Sequence, residues 1–327
     1  PNTAAGLRAL QKSIAITSAE MGLVRGAKLL LKVNQVDGFD CQSCAWPSRA
    51  DRQVAEFCEN GVKAVADEAT LARIDAEFFR EYSVADLAAR SDHWLGKQGR
   101  LTQPMVLRPS ATHYESITWD EAFRLIASEL RALPSPDAAA FYTSGRTSNE
   151  AAFLYQLFVR AYGTNNLPDC SNMCHESSGV ALGETIGIGK GTVTLDDFAA
   201  VEAIFIVGQN PGTNHPRMLS TLQAAKRRGA RIVSINPLPE AGTTSFVNPQ
   251  DLKNLLRLPG VLMGRGTALA DLWLPVQIGG DMALFQGLIK ELLVEEEQRP
   301  GAVLDHAFIR EHTTGFDTLR AHVRGIA

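Results

Sequence analysis

The sequence has 327 residues and a formal net charge of −4 at pH 7, and 45% of its residues are hydrophobic. This composition is typical of a soluble globular chain of about two domains, and it excludes collagen-like, coiled-coil and wholly disordered proteins. The negative charge argues against nucleic-acid binding, and apolar runs such as 203–207 are too short for membrane insertion. Neither terminus shows a secretory or twin-arginine signal, so we expect a cytoplasmic protein.

The N-terminal third divides into two predicted parts. Residues 1–36, whose charged side chains are mostly basic, predict an arm or helix. Residues 37–118 form a small predicted domain that begins with a cysteine cluster. Its pair Cys41 and Cys44 has the CxxC spacing, with which two thiolates reach one metal ion or cluster. Cys58 is a candidate third ligand.

The CxxC spacing leaves several chemistries open. Zinc sites, iron–sulfur clusters and thioredoxin-type redox sites all use it. Trp46 and Pro47 follow the pair where a redox motif would begin a helix, and this disfavours the redox interpretation. Two loop thiols and a core cysteine remain the structural alternative.

Residues 119–327 alternate between helical and strand patterns and predict an α/β domain. The apolar runs 203–207 and 231–235 are candidate strands with a helical segment between them. Such a βαβ crossover predicts a parallel, doubly wound sheet. Ligands bind beyond the carboxyl ends of strands in these sheets, so we expect a site at loops 208–214 and 236–242.

Further elements follow from the same patterns. We predict helices over 119–133 and 215–228, a buried strand over 138–142, a helix beginning near Ser148, and a strand near 271–276 before a last helix.

A second cysteine group lies at Cys170, Cys174 and His175. A thiolate beside an imidazole suits a soft-metal ligand next to a proton acceptor. A buried structural cysteine beside a surface histidine is the equally open alternative. His215 alone is more typical of a helix start than of a metal ligand.

Taken in order, these motifs resemble the molybdopterin oxidoreductase superfamily, of the formate dehydrogenase alpha-subunit type. The nearest branch is the oxidoreductase alpha (molybdopterin) subunit group, which includes an acid-resistance-associated protein. The segments that carry the resemblance are 40–47, 57–61, 142–150, 163–166, 171–175, 208–216 and 278–281.

The resemblance implies a molybdenum centre and a [4Fe–4S] cluster. Cys174 matches the metal-ligating position, and His175 matches a neighbouring histidine that handles protons. Cys41, Cys44 and Cys58 match three of the four cluster ligands. The positions implied for binding a bis-molybdopterin guanine dinucleotide are Arg146, Asn149, Asn210, Gly212, His215, Asn236, Gly280 and Asp281.

The sequence departs from the family in two places. Ser48 stands where the family has its remaining cluster ligand, and Asn60 replaces a lysine that lies between cluster and pterin. Family members are also longer, so the resemblance implies an incomplete multi-domain chain, with an iron–sulfur-type loop domain before the α/β sheet domain.

These observations favour a molybdenum-dependent oxidoreductase. It would oxidise formate or a similar small molecule and pass electrons through the cluster to an acceptor protein. A non-catalytic scaffold or electron-transfer subunit with the same fold is the first alternative, and a zinc-stabilised α/β protein is the second.

Overall fold

A computed structural model describes residues 3–44, 46–52, 56–145, 147–168, 174–253 and 257–326. Within these ranges, no helix combines the length and the apolar character needed to cross a membrane. The chain divides into two compact units. One is Leu7–Asp197, and the other joins Pro1–Gly6 to Phe198–Ala327. The three-part division proposed from the sequence, with boundaries after residues 36 and 118, remains a prediction.

Helices make up most of the regular structure. In chain order they are α1 (Gly6–Met21), α2 (Leu23–Leu30), α3 (Glu59–Ala69), α4 (Ala76–Glu81), α5 (Val84–Ala88), α6 (Asp92–Gly96), α7 (Trp119–Ala132), α8 (Asn149–Tyr162), α9 (Glu176–Ile186), α10 (Pro211–Asn214), α11 (Met218–Arg227), α12 (Ala241–Thr244), α13 (Leu258–Leu262), α14 (Asp281–Gln298), α15 (His306–His312) and α16 (Phe316–Arg324).

The strands are short. They are β1 (Ala4–Ala5), β2 (Arg73–Ile74), β3 (Arg100–Leu101), β4 (Met105–Val106), β5 (Glu115–Ser116), β6 (Ala203–Val207), β7 (Arg231–Ile235), β8 (Phe246–Val247) and β9 (Leu272–Leu274). Strands β1 and β8 pair in parallel, as do β2 and β3, whereas β4 and β5 are antiparallel.

The sheet that organises the second unit is parallel, as predicted. Its order is β6-β7-β9, with Ala203 opposite Arg231 and Ile235 opposite Leu274. Helix α11 connects the first two strands and buries Leu222 completely, as β7 buries Ile232. Each such side chain contributes about 1.5–3 kcal/mol by leaving water. The α/β fold class is therefore confirmed, and the carboxyl ends of the three strands share one edge.

The helix predicted over 215–228 is interrupted. The chain instead forms α10, then the non-helical residues before Met218, then α11. His215 has φ −139° and ψ 63°, outside the helical region. The cause is Pro216, whose ring clashes with a helical conformation of the residue before it.

The strand predicted over 138–142 is wrong. Ala138 ends a 3₁₀ turn, and the extended residues after it join no sheet. Asn166 takes the place of a neighbouring strand. Its carbonyl accepts from Phe141 N at 2.9 Å, and its side-chain amide donates to the carbonyls of Asp137 and Ala139 at 2.8 and 3.1 Å. A side-chain amide can satisfy backbone groups in this way without a ladder.

The core of the Leu7–Asp197 unit includes one of the candidate ligands. Met21, Val33, Val65 and Ala66 form a buried cluster together with Cys41. This cluster joins the first helices of the chain to α3. Packing therefore places the Cys41 sulfur beside the start of α3, where Cys58 lies.

Candidate cofactor site

The loops after β6 and β7 extend the sheet before they turn away. Gly208 has φ +66°, a left-handed conformation that favours glycine, and its N–H donates to Ile235 O at 2.8 Å. Asn236 N donates to Leu274 O at 3.1 Å. The side-chain oxygen of Asn236 accepts from Leu238 N at 3.1 Å, so the asparagine shapes its own loop. Both loops are therefore anchored at the carboxyl edge of the sheet.

Two glycines bring these loops into direct backbone contact. A Cβ atom on Gly242 would lie 2.7 Å from Gly212 N and 2.8 Å from Gly212 Cα. A Cβ atom on Gly212 would lie 2.9 Å from Gly242 Cα. Real side chains do not approach backbone so closely, so both positions require glycine. Gly212 was a predicted site residue, and Gly242 is the partner that the sequence analysis missed.

Polar side chains are fixed around the glycine contact. Asn210 Nδ2 donates to Glu240 Oε2 at 2.7 Å. Gln209 Nε2 and His215 Nδ1 lie 3.0 Å apart, and all four side chains are half-buried. Glu240 is a further residue that sequence analysis missed. Its position within the predicted binding loop 236–242 was the available signal.

The third loop of this edge follows β9. Gly279 has φ +85°, and Gly280 N donates to Gln277 O at 2.8 Å in the resulting turn. Asp281 is the first residue of the long helix α14, where a carboxylate interacts favourably with the helix dipole. The structure thus brings Asn210, Gly212, Asn236 and the Gly280 turn to one edge of one sheet.

These residues fit a dinucleotide carrying a pyrophosphate. Glycines allow phosphate oxygens to approach the backbone, and asparagine amides and loop N–H groups supply donors for them. Asp281 offers a carboxylate that can accept hydrogen bonds from a guanine edge. The contact between Gly212 and Gly242, which leaves no room for a Cβ atom, holds the two donor-bearing loops together at this edge.

Cys174 and His175 lie in the other unit, at the beginning of α9. His175 is the residue before the helix, with φ −130° and ψ 3°, and its carbonyl accepts from Gly179 N at 3.0 Å. The Cys174 thiol is free, and both side chains are exposed. Neither is a core residue, in agreement with the functional interpretation. Cys170 lies outside the described residues.

The remaining predicted pterin contacts belong to the segment before α8. Arg146 lies outside the described residues. Asn149 is exposed as the first residue of α8, after Ser148, whose hydroxyl caps the helix by accepting from Ala151 N at 3.3 Å. The predicted helix start is confirmed.

Two of the three N-terminal cysteines, Cys41 and Cys58, have their sulfurs at the start of α3. Cys58 is the N-cap residue, and its sulfur accepts from Gly61 N at 3.3 Å. A Cβ on Gly61 would lie 3.2 Å from the Cys41 sulfur and 3.6 Å from the Cys58 sulfur. Burial raises the pKa of the Cys58 thiol, the Gly61 N–H opposes that shift, and nearby Cys41 and Cys44 raise it further. The three thiols, all free, therefore share one environment.

Asn34 holds this cysteine segment in place. Its buried side chain accepts from Cys41 N at 3.0 Å and donates to Glu56 O at 2.7 Å. Ser48, at the position of the missing cluster ligand, instead donates to Asp40 at 2.8 Å. Across the described ranges, no three His, Cys, Asp or Glu side chains are arranged as a ready-made metal site. The thiol donor set suits iron–sulfur or zinc, and a cluster here remains a prediction.

The chain is similar to several known proteins. Residues 100–294 match the family model described as molybdopterin oxidoreductase. The chain is 55% identical over 318 residues to an uncharacterized oxidoreductase of Mycobacterium tuberculosis. The match covers 97% of this chain and 40% of that protein. It is 44% identical over 326 residues to the protein YdeP of Escherichia coli, covering 98% and 42%.

Two further proteins are similar to the chain at lower identity. Subunit alpha of F420-dependent formate dehydrogenase 1 of Methanococcus maripaludis is 31% identical over 225 residues, which cover 68% of this chain and 28% of that subunit. The solved structure of acetylene hydratase from Pelobacter acetylenicus shares the fold, with a TM-score of 0.51, 21% identity, and coverage of 68% of this chain and 27% of that one. The chain spans about two fifths of the length of its mycobacterial and enterobacterial relatives. By the extent of the family match, it belongs to the molybdopterin oxidoreductase family.

Proposed function

We propose that the chain provides the metal- and pterin-binding part of an oxidoreductase that removes two electrons from formate or a similar small molecule. The observation that carries the proposal is the edge of the β6-β7-β9 sheet, where Gly212 and Gly242 hold two loops in backbone contact. Family membership supports the same chemistry. The Methanococcus relative is named a formate dehydrogenase, and we propose formate as a substrate for this chain on that similarity.

The chain's own residues would divide the work as follows. The bound molybdenum–pterin group would supply the two-electron chemistry. Cys174 would hold the metal through its exposed sulfur, and the His175 imidazole would accept the substrate proton and pass it on. The dinucleotide would be held by Arg146, Asn149, Asn210, Gly212, His215, Asn236, Gly280 and Asp281.

The cysteine segment would provide the electron exit. Cys41, Cys44 and Cys58 would bind a [4Fe–4S] cluster, from which electrons pass to an acceptor protein. Ser48 and Asn60, in place of the family's ligand and lysine, favour the alternative of a scaffold or electron-transfer subunit without catalysis. The retention of Cys174 and His175 disfavours it. A cytoplasmic location stays a prediction.

The test is the metal content of protein purified anaerobically from a host that makes the molybdenum cofactor. We expect near-stoichiometric molybdenum, loss of molybdenum in Cys174→Ala, and retention in Ser178→Ala, an exposed matched control on α9. A wild-type protein without molybdenum would contradict the proposal. Equal molybdenum content in both variants would remove Cys174 from the ligand set.

The same samples distinguish the assignments of the cysteine segment. Iron with acid-labile sulfide supports the cluster, whereas zinc without sulfide supports the zinc-stabilised alternative. In either case Cys58→Ser should lower the metal content, because its sulfur is half-buried beside the other thiols.

A further inference from the structure

The Phe198–Ala327 unit also contains a cleft that the strand-end loops do not line. It has a volume of about 240 Å³ and lies between the last turns of α11, strand β8 and the segment from α13 to Thr267. Helix α11 begins near the carboxyl edge of the sheet and ends near the amino edge. There Lys226 donates to Leu269 O, and Arg231 N donates to Glu202 O. None of the residues proposed to bind the pterin group lines the cleft.

Positive charge predominates in the cleft. Three guanidinium groups line it, those of Arg227, Arg257 and Arg265, against one carboxylate, Asp251. Asp251 lies 2.6 Å from Arg227 and 3.2 Å from Arg257, so it holds both side chains beside the cleft. Arg265 forms no ion pair with any acidic group in the described part of the chain. The lining thus carries a formal excess of two positive charges.

One wall of the cleft is a network of hydrogen-bonded side-chain amides. Gln223 is 1% exposed and Asn248 8% exposed. Asn248 Nδ2 donates to Gln223 Oε1 at 2.9 Å, and Gln223 Nε2 donates to Thr267 Oγ1 at 2.9 Å. Asn248 Oδ1 also accepts from Gln250 N at 3.0 Å. Because both amides are bonded through their oxygen and their nitrogen, this wall is a well-ordered polar surface.

We propose that this cleft binds a small molecule through a phosphate group. Guanidinium groups recognise phosphate through paired N–H donors, and two excess positive charges match a phosphate dianion. The volume equals that of roughly eight liquid waters at about 30 Å³ each, which accommodates phosphate on a small organic group. Asp251 positions Arg227 and Arg257 and also limits the affinity, since its charge opposes the anion.

The experiment titrates the purified chain, without molybdenum, with inorganic phosphate and with glycerol phosphate by calorimetry at constant ionic strength. We expect both to bind. Arg265→Ala should weaken binding roughly tenfold or more, because one charged hydrogen-bonding partner is lost. Arg231→Ala is the matched control. This arginine is exposed on β7 and makes only a 3.7 Å contact with Asp271, so binding should be unchanged.

Asp251→Asn gives the opposite prediction, tighter phosphate binding, because the opposing charge is removed. No phosphate binding in the millimolar range, or equal affinity of Arg265→Ala and Arg231→Ala, would overturn the proposal. Tighter binding of malonate than of either phosphate compound would overturn the phosphate assignment. All these measurements are independent of cofactor loading, so their failure would leave the proposed oxidoreductase function untouched.

Discussion

The strand-end loops and the cysteine segment are both candidate cofactor sites, but they are built in different ways. The loops are held by backbone contacts that the sheet itself imposes, with Gly212 against Gly242 and Gly208 bonded to Ile235. Beside the described part of the cysteine segment, the backbone pairing is an isolated bridge between Val33 and Phe39. The sulfurs of this segment are placed by the packing of Cys41 in a buried cluster, by the helix cap at Cys58 and by the hydrogen bond from Cys41 N to Asn34. The strand-end loops are therefore preformed by the fold, whereas the geometry of the cysteine segment depends more on what its thiols bind.

The largest effect should come from Gly242→Ala. The new Cβ would overlap backbone atoms of Gly212, so the two loops must separate. We expect a loss of about 1–3 kcal/mol in the free energy of unfolding, together with loss of bound pterin. Denaturant unfolding and pterin analysis measure the two effects.

Gly287→Ala is the matched control for that substitution. Gly287 lies inside α14, and nothing outside the helix backbone is within 4 Å of its added Cβ. This variant should gain about 0.5–1 kcal/mol, because alanine is the better helix former. Equal stabilities of the two variants would show that the loop contact is not a constraint.

Asn34→Ala tests the support of the cysteine segment. It removes the donor to Glu56 O and deprives the buried Cys41 N–H of its Asn34 acceptor. We expect the free energy of unfolding to fall by about 1–3 kcal/mol. We also expect faster alkylation of Cys41, which mass spectrometry measures. Asn34→Asp keeps the acceptor for Cys41 N and should protect that thiol better. If alkylation in Asn34→Ala stays as slow as in the wild type, another contact holds Cys41.

The C-terminal end of α14, far along the helix from Asp281, gives a pH-dependent prediction. Glu296 accepts hydrogen bonds from Gly301 N, the His306 ring and Leu304 N, which lower its pKa to about 2. Because this pKa lies below the ordinary value of 4.5, the carboxylate stabilises the fold fully above about pH 4.5. That contribution is lost as the pH falls toward 2.

Thermal unfolding between pH 2 and 6 tests this prediction. The wild type should become more stable as the pH rises through this range. Glu296→Gln should show a smaller rise and a lower melting temperature at pH 6. If the wild type and the variant have parallel pH profiles, Glu296 is not the group responsible.

The smallest change in stability is expected for Gly61→Ala. The helix-forming advantage of alanine, at most about 1 kcal/mol, is offset by the displacement of the Cys41 sulfur, 3.2 Å from the new Cβ. Metal content should nevertheless fall, because the Cys41 sulfur must shift by a few tenths of an ångström away from the new Cβ. A variant that keeps its full metal content would show that the thiols do not act together. The contrast with Gly242→Ala, where stability and cofactor are lost together, sharpens the comparison of the two sites.

The sequence predicted the parallel strands well because short apolar runs bounded by glycine and proline leave little choice. Strands β6 and β7 lie at the predicted residues, and the loops after them form the site. Contacts between distant residues were not predictable. No spacing rule connects Asn210 with Glu240, Asn34 with Cys41, or Asn166 with the carbonyls that a strand at 138–142 would have used.

If the strand-end loops hold a guanine-containing pterin group, acid hydrolysis should release GMP from the protein. The measurement uses protein purified anaerobically from a host that makes the molybdenum cofactor. We expect GMP together with molybdenum in the wild type and in Gly287→Ala, and the loss of both in Gly242→Ala. Wild-type protein without GMP, or equal GMP in both glycine variants, would contradict it.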